Sequence, residues 1–480
     1  MESKLSFLKL TSYGWAAIET VAFTIRDCFV DGIDYLVEEP IDPYEAAFGE
    51  LGDIAAPSGT SLCINGVDRL LDKEDGFKNL LVAASTGAGK TSIIGISNIL
   101  MLDGASAVIH CPSGQSYDLC AGYLASHNYT VSLLDFNDPA SSVCINPLDF
   151  VSSPNEIYQL LLPLVESSLG KVQDRFWLLS SISLLSCLIR LQFCLDTRYK
   201  NLANTRHLLI AFTADPKAVD KLFIKYADTT LFNEYKSLLR SNEKTLASVV
   251  MTAKAALELW SVESVAQITA RTTLDIQNFR SGRCALFIKN ATFDAPTYRP
   301  LLSLLVEHMM AAFMKHLPEK DDMPIYFSID EADTLHLRSL SQLVSNNRKY
   351  KIGCILFYQN ISQLFNAYGM EDGTTILANC HNKLYLGGTD MRTAKELEQL
   401  LGTRTVVKNG RTRTLPLLTA QNIRMMKQSE ALLISGNHKP FLVKVTPYYE
   451  QPFLKLRINK KAYQPKPKNI PQTISLIPLT

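Results

Sequence analysis

The chain has 480 residues and a formal charge of +1, from 48 Lys plus Arg against 47 Asp plus Glu. At about 100–200 residues per domain this is room for two to four domains, and 47% apolar with 20% charged residues excludes a disordered, collagen-like or disulfide-stapled chain. The balanced charge excludes a uniformly basic surface, so any polyanion has to be met by a local patch. The ten cysteines form no C-x-x-C pair or His/Cys cluster, which gives no zinc or redox-dithiol signature and fits buried, reduced thiols of a cytosolic compartment.

Residues 1 to about 35 read as one or two amphipathic helices, followed by an acidic, proline-punctuated segment with Glu38, Glu39, Pro40, Asp42, Pro43, Glu45 and Glu50, expected as a linker or a docking surface, with the solvated linker favoured. The N-terminus fits neither a signal peptide nor a spanning helix. The apolar stretch from Phe176 to Ile189 ends at Arg190, short of the roughly 20 residues a bilayer crossing needs. A soluble chain with Phe176–Ile189 as a buried helix is expected.

Asn79 to Ala83 is an apolar strand candidate leading into a glycine turn, with a helix from Thr91 to Leu102 and strands at Ala105–His110 and Val131–Asp135. This alternation predicts a parallel α/β sheet. Ser153, Pro154 and Glu156 supply an N-cap, a first-turn proline and an N3 carboxylate. Helical periodicity then runs through Tyr158–Leu169, Phe176–Phe193, Ala214–Tyr226 and Lys244–Trp260, until about residue 277. Strand patterns return at Cys284–Lys289, Ile325–Ile329, Gly353–Phe357 and Lys383–Leu386, followed by a short helix near Asn422–Lys427 and a strand pair within Glu430–Val445. The expected division is an N-terminal helical and acidic linker segment (1–55), a nucleotide-binding domain in two parts (56–150 and 278–450), an inserted all-α domain (151–277) and a basic, proline-containing tail (451–480).

The sharpest motif is Ala84-Ser85-Thr86-Gly87-Ala88-Gly89-Lys90-Thr91, between a strand and a helix candidate. It is close to G-x-x-x-x-G-K-[ST], in which successive amides cradle phosphates, lysine reaches the β- and γ-phosphates and the hydroxyl ligates magnesium. Ala84 replaces the first glycine and keeps the turn if its φ is negative. Ser85 to Ser92 are therefore the candidate nucleotide-binding residues. Far along the chain, Ile325 to Ile329 ends in Asp330 and Glu331; Asp330 would hold magnesium and Glu331 would activate the attacking water. Gln359, just after the next strand, can sense the γ-phosphate through a neutral amide. Arg348, Arg392, Arg404 and Arg413 are candidate trans-acting arginines, and Arg348 is the one favoured.

These residues resemble the type IV secretion coupling proteins, the TraG/TraD-type conjugative DNA-transfer ATPases of the RecA-like FtsK/HerA group. The likeness is carried by A-S-T-G-A-G-K-T at Ala84–Thr91, N-P-L-D at Asn146–Asp149, F-W at Phe176–Trp177, S-I-D-E-A-D at Ser328–Asp333 and N-R-K-Y at Asn347–Tyr350. It continues through Y-Q-N-I-S-Q-L at Tyr358–Leu364, Y-G at Tyr368–Gly369, T-I-L-A-N-C at Thr375–Cys380 and L-L-G at Leu400–Gly402. The resemblance implies an α/β fold, a RecA-like P-loop nucleotide-binding domain with an inserted all-α domain. It further implies ATP and Mg2+ as cofactors and a homo-oligomer, hexameric when active, at the cytoplasmic face of the bacterial inner membrane. The implied partners are type IV secretion channel components, DNA, and relaxase or effector proteins. By the same likeness Lys90 and Thr91 serve the phosphates and magnesium, Asp330 the metal, Glu331 the water and Gln359 the γ-phosphate, while Asn146–Asp149 is structural.

The chain departs from the family in two places. Cys111-Pro112-Ser113-Gly114 stands where members usually carry D-P-K-G, and the N-terminal transmembrane pair of typical members is not legible, so the expectation is either a soluble or truncated member or one that a membrane-anchoring partner holds in place. Basic residues cluster at Arg404, Lys408, Arg411 and Arg413, and again at Lys455, Arg457, Lys460, Lys461, Lys466 and Lys468. Either cluster could touch a nucleic acid, and the second is expected as a solvated tail. A Mg-dependent ATPase that translocates DNA or protein is the leading expectation. The alternatives are a nucleotide-gated docking module without processive movement and a HerA-like DNA-processing translocase.

Overall fold

The structure is a computed structural model that describes residues 45–54, 62–67, 71, 73–169, 175–290, 295–408, 411–458, 463 and 474–479. The expected N-terminal helices, the acidic residues up to Pro43, and Lys460, Lys461, Pro465, Lys466, Pro467 and Lys468 lie outside the described residues.

The apolar runs become strands buried on both faces, as parallel strands between two helix layers must be. They are β1 (Leu80–Ala83), β2 (Ser106–His110), β3 (Thr130–Asp135), β4 (Cys284–Lys289), β5 (Ile325–Ile329), β6 (Ile352–Tyr358) and β7 (Asn382–Leu386). A two-stranded ribbon, β8 (Thr403–Lys408) with β9 (Arg411–Pro416), stands apart, and β10 (Glu430–Ser435) and β11 (Phe441–Lys444) follow. The main sheet has the order β11-β10-β7-β1-β6-β5-β2-β4-β3, parallel except for the antiparallel edge of β10 and β11. Ala83 pairs with Tyr358, and Ile329 pairs with both Leu356 and His110. The residues that follow β1, β2, β5 and β6 therefore share one crevice at the C-terminal edge, where ligands of α/β sheets bind.

Strand alternation sorts the two faces. Ile325, Phe327 and Ile329 join one core, while Tyr326 joins Leu80, Val82 and Phe357 in another. Each fully buried Phe, Ile or Leu contributes about 1.5–3 kcal/mol, and Phe327, Phe357 and Leu80 are all essentially inaccessible.

After β1 the chain makes a π-helical stretch (Lys90–Gly95) before α1 (Ile96–Leu100), so the expected single helix from Thr91 to Leu102 is two segments. Helix α2 (Gln115–Ser126) links β2 to β3. Between β3 and β4 the regular elements of the described residues are helices only: α3 (Pro154–Leu169), α4 (Arg175–Phe193), α5 (Leu202–Ala214), α6 (Pro216–Tyr226), α7 (Thr229–Leu239), α8 (Glu243–Ala256) and α9 (Glu263–Ile268), with short 3-10 turns and one further helical turn at Asn278–Ser281. Ser153 and Glu156 do cap α3: Ser153 Oγ accepts from Glu156 N–H at 3.3 Å, and the Glu156 carboxylate reaches Ser152 N–H at 2.7 Å. The expected helix Ala214–Tyr226 is interrupted at Asp215, whose side chain caps α6 ahead of Pro216.

The helical block shares one continuous core with the sheet, running from Leu81 and Leu134 through Phe136, Leu148 and Ile157 to Leu188 and Val250. Its neck is tied by the N-P-L-D turn: Asn146 donates to Lys200 O at 2.7 Å, and Thr272 donates to Asp149 at 2.6 Å. Helix α4, at 19 residues, is long and apolar enough to cross a membrane by length and composition, but it packs within the block, with Ile182, Leu185, Leu188 and Leu191 buried. The sheet then completes itself with α10 (Ala295–Phe313), α11 (Ala332–Leu335), α12 (Leu340–Asn346), α13 (Ile361–Asn379), α14 (Met391–Leu401) and α15 (Ala420–Arg424), and α16 (Pro452–Ile458) follows.

Two segments expected to be solvated make contacts with the fold over part of their described residues. Residues 45–49 are held against the fold, because Ala46 N–H donates to Thr403 O at 3.3 Å, Gly49 N–H to Pro440 O at 2.9 Å, and Thr405 N–H to Glu45 at 3.2 Å. The tail is docked at both described ends. Arg457 of α16 donates to Leu100 O at 2.7 Å and lies over the Tyr123 ring, and Ile477 is buried against the helical block. Apolar side chains and backbone pairing outweigh what composition suggests.

Candidate nucleotide site

The loop after β1 has the geometry its sequence needs. Gly87 and Gly89 take φ of +79° and +88°, a left-handed conformation that a Cβ disfavours, and a Cβ on Gly89 would meet Ile93 at 2.8 Å. Ala84 is not among the positive-φ residues, is buried, and its N–H donates to Tyr358 O at 3.2 Å. The conformation at Ala84 therefore tolerates a methyl group where the motif usually has glycine.

Lys90 folds back onto the loop, with Nζ donating to Ala84 O at 2.6 Å and Ser85 O at 3.3 Å. Burial lowers its pKa, opposed by the nearby charges of Asp330, Glu331 and Asp333. Thr91 Oγ1 donates to Asp330 Oδ2 at 2.8 Å, and Ser92 Oγ donates to Gly89 O at 3.2 Å. Two hard oxygens meeting where the loop faces the end of β5 fit a magnesium ion, which favours oxygen ligands and few protein contacts.

Asp330 is anchored on three sides. Its N–H donates to His110 O at 3.2 Å, its carbonyl accepts from His110 Nδ1 at 2.8 Å, and its Oδ1 accepts from Glu331 N–H at 3.1 Å. The carbonyl partner assigns the His110 proton to Nδ1, and burial lowers the pKa of this ring. Glu331 takes φ 51° and ψ 56°, an uncommon conformation for a non-glycine residue, immediately before α11. Burial first, then the charges of Asp330 and Asp333, raises its pKa, with Lys90 opposing. A half-buried carboxylate with raised basicity beside a phosphate-loop lysine has the character of a general base.

The structure brings Ser85–Ser92, Asp330 and Glu331 together. Gln359 joins the same edge: it follows Tyr358, the register partner of Ala83, and is exposed, with its N–H donating to Gln363 at 2.8 Å. Arg348 does not join them. It lies before β6, at the opposite edge of the sheet, and pairs with Glu74 at 3.4 Å; a seven-residue strand separates the two edges by about 20 Å. Within this chain Arg348 is remote from the loop, and the expectation of a trans-acting arginine concerned a neighbouring subunit's site.

Sequence reasoning missed three neighbours. His110 gives no local signal, because its partner sits on another strand. Gly388, with φ +86°, brings the turn after β7 close to the loop, where a Cβ would stand 3.1 Å from Ser85 Oγ. Beside the Cys111–Gly114 turn, Lys289 of β4 pairs with the buried Asp135 of β3 at 3.6 Å, and a Cβ on Gly114 would meet Lys289 at 2.7 Å. A carboxylate and an ammonium thus stand next to the turn that lacks both, while burial pushes the Cys111 thiol up to about 12.

The β8–β9 ribbon gathers the first basic cluster. Val406 pairs with Arg413, Arg404 with Leu415 and Lys408 with Arg411. Because side-chain positions alternate along a strand, Arg404 and Arg413 share one face with Val406 and Leu415. Among the described side chains the other face carries Thr403, Thr405, Thr412, Thr414 and Pro416 and has no charge.

Comparison with known proteins agrees with this arrangement. The family described as type IV secretory system conjugative DNA transfer matches residues 57–470. The conjugal transfer protein TraG of Escherichia coli is 26% identical over 392 residues, covering 74% of this chain and 60% of that protein. VirD4 of Agrobacterium fabrum is 21% identical over 413 residues, covering 78% and 59%. The chain thus spans about 60% of the length of the curated relatives it matches. Among solved structures, the bacterial conjugative coupling protein TrwB superposes with a TM-score of 0.66 at 18% identity, covering 84% of this chain and 93% of that one. TrwB in complex with ADP and Mg2+ gives 0.66 at 18%, covering 87% and 93%. The shared fold is α/β: a RecA-like P-loop sheet interrupted by a helical insert.

Proposed function

The chain belongs to the type IV secretory system conjugative DNA transfer family, and from that premise we propose that it is a magnesium-dependent ATPase that couples hydrolysis to the recruitment and translocation of DNA or protein through a type IV secretion channel. The observation that carries the reading is the meeting of Lys90, Thr91, Asp330 and Glu331 at one sheet edge, from segments 239 positions apart. In this reading Lys90 leaves the carbonyls of Ala84 and Ser85 for the β- and γ-phosphates, and the amides of the glycine turn face the phosphate oxygens. Thr91 and Asp330 hold magnesium, which when bound neutralises phosphate charge. Glu331 takes a proton from the attacking water, and its raised pKa suits it to hold that proton through the step. Gln359, exposed beside the loop, contacts the γ-phosphate.

The DNA side of the proposal is supported by the basic face of the β8–β9 ribbon, since phosphate neutralisation dominates nucleic-acid affinity. A ring of six copies is the proposed working assembly, held at the cytoplasmic face of the inner membrane with channel components. In it Arg348, exposed and remote from its own chain's site, is proposed to serve a neighbour's. The cargo is proposed as a relaxase-bound strand or an effector protein. Steady-state ATP hydrolysis by the wild type and by Glu331→Gln, with nucleotide binding titrated in parallel, tests the reading. Turnover that depends on Glu331 while binding persists supports the enzyme. Binding with no turnover in either protein would leave a nucleotide-gated docking module instead.

A further inference from the structure

The last described residues, Ile474–Leu479, lie on helix α5 of the insert. Asn204, fully buried on α5, donates from Nδ2 to Ser475 O at 3.0 Å and accepts Ile477 N–H at 3.0 Å through Oδ1. One turn further, His207 Nε2 donates to Ile477 O at 3.1 Å. The Ile477 side chain is 2% exposed, Ile474 and Leu479 lean on the same core, and Ser475, Leu476 and Pro478 face outward.

A carboxamide offers a donor and an acceptor much as a peptide group does, so Asn204 reads this segment as a neighbouring strand would, through backbone and not through side-chain identity. Contacts within its own helix cap also hold it, because its N–H and Nδ2 both donate to Asn201 Oδ1, at 2.9 and 3.2 Å. Pro478 restricts Ile477 to extended backbone and brings no N–H that would need a partner. What the surface selects is therefore an extended, uncharged stretch with one aliphatic anchor.

We propose that the Asn204–His207 face of α5 is a peptide-binding site for an extended, uncharged segment of a partner polypeptide anchored by one aliphatic side chain, with the chain's own C-terminal segment as its resident competitor. The tail is tethered at its other described end by α16, which packs on α1 and α2. Tyr463 is a further tether, its hydroxyl donating to Val131 O at 3.2 Å, and the eleven positions from there to Ile474 span about 35 Å at most, which keeps the segment near this face at a local concentration of order millimolar. Three hydrogen bonds and one buried side chain make a contact that a partner segment presented at similar local concentration can displace. The proposal does not depend on nucleotide hydrolysis.

The test is fluorescence anisotropy with a labelled peptide of the sequence of residues 472–480, titrated into the full chain. Ile477→Asp, which places a charge in the anchor pocket and frees the site, should bind the peptide at least about tenfold more tightly than the wild type. Adding Asn204→Ala, or separately His207→Ala if the first substitution unfolds the insert, should weaken that binding at least several-fold, and a peptide carrying aspartate at its anchor position should not bind. Equal binding by wild type and Ile477→Asp, or none by a folded Ile477→Asp, would overturn the proposal.

Discussion

Thr91 Oγ1 donates to Asp330 Oδ2 at 2.8 Å, so one hydrogen bond joins the phosphate loop to the end of β5 across 239 positions of sequence. The pairing sets a hydroxyl and a carboxylate at the spacing a shared metal ion would use. Asp330→Asn keeps the shape and removes the charge. Wild-type affinity for a fluorescent ATP analogue should fall at least about tenfold when EDTA replaces magnesium, whereas the variant should show almost no difference, with turnover lower by about 100-fold. Unchanged magnesium dependence in the variant would remove Asp330 from the metal site.

Glu331 titrates above the ordinary glutamate value because it is half-buried and sits beside two other carboxylates. A general base works only when deprotonated, so turnover should fall as pH drops through this raised pKa. The acid limb of the kcat profile should therefore lie above pH 4.5, the ordinary value. In Glu331→Gln that limb should vanish along with most of the activity, by about 100-fold or more.

The cap of α3 makes an independent stability prediction. Hydrogen bonds from Ser152 N–H and Oγ hold the Glu156 carboxylate down to about 2, from an ordinary 4.5. Its depressed native value means that its contribution is complete above pH 4.5 and is lost as pH falls toward 2. Glu156→Gln should melt about 2 °C below the wild type at neutral pH, and thermal scans should show the gap closing in acid.

Arg413 is exposed on the charged face of the ribbon, in register with Val406. Replacing it with alanine should weaken DNA binding similarly for all sequences and reduce the slope of log affinity against log salt by about one. An unchanged slope would place the DNA contact elsewhere.

The fold was legible where the signal is local. β4 and β5 fall on the residues their apolar runs mark, and the turn after β1 is readable from its glycines, Gly87 and Gly89, which take the left-handed backbone. What was not legible depends on neighbours far along the chain. His110 matters because β2 lies beside β5, and Arg348 is remote because parallel strands put all their N-terminal ends at the opposite edge from the loop. The β8–β9 ribbon carries threonines and arginines in place of an apolar face, so no strand pattern stood out. The tail read as solvated from its lysines and prolines, yet a single aliphatic side chain, Ile477, with Asn204 and His207, is enough to dock its end.

The most direct test of the central claim is steady-state ATP hydrolysis by the wild type and by Glu331→Gln, each with and without single-stranded and double-stranded DNA, at low and moderate salt. The account predicts weak basal turnover that DNA stimulates, that moderate salt diminishes, and that Glu331→Gln abolishes. Background turnover in every condition from a folded, nucleotide-binding protein would contradict it.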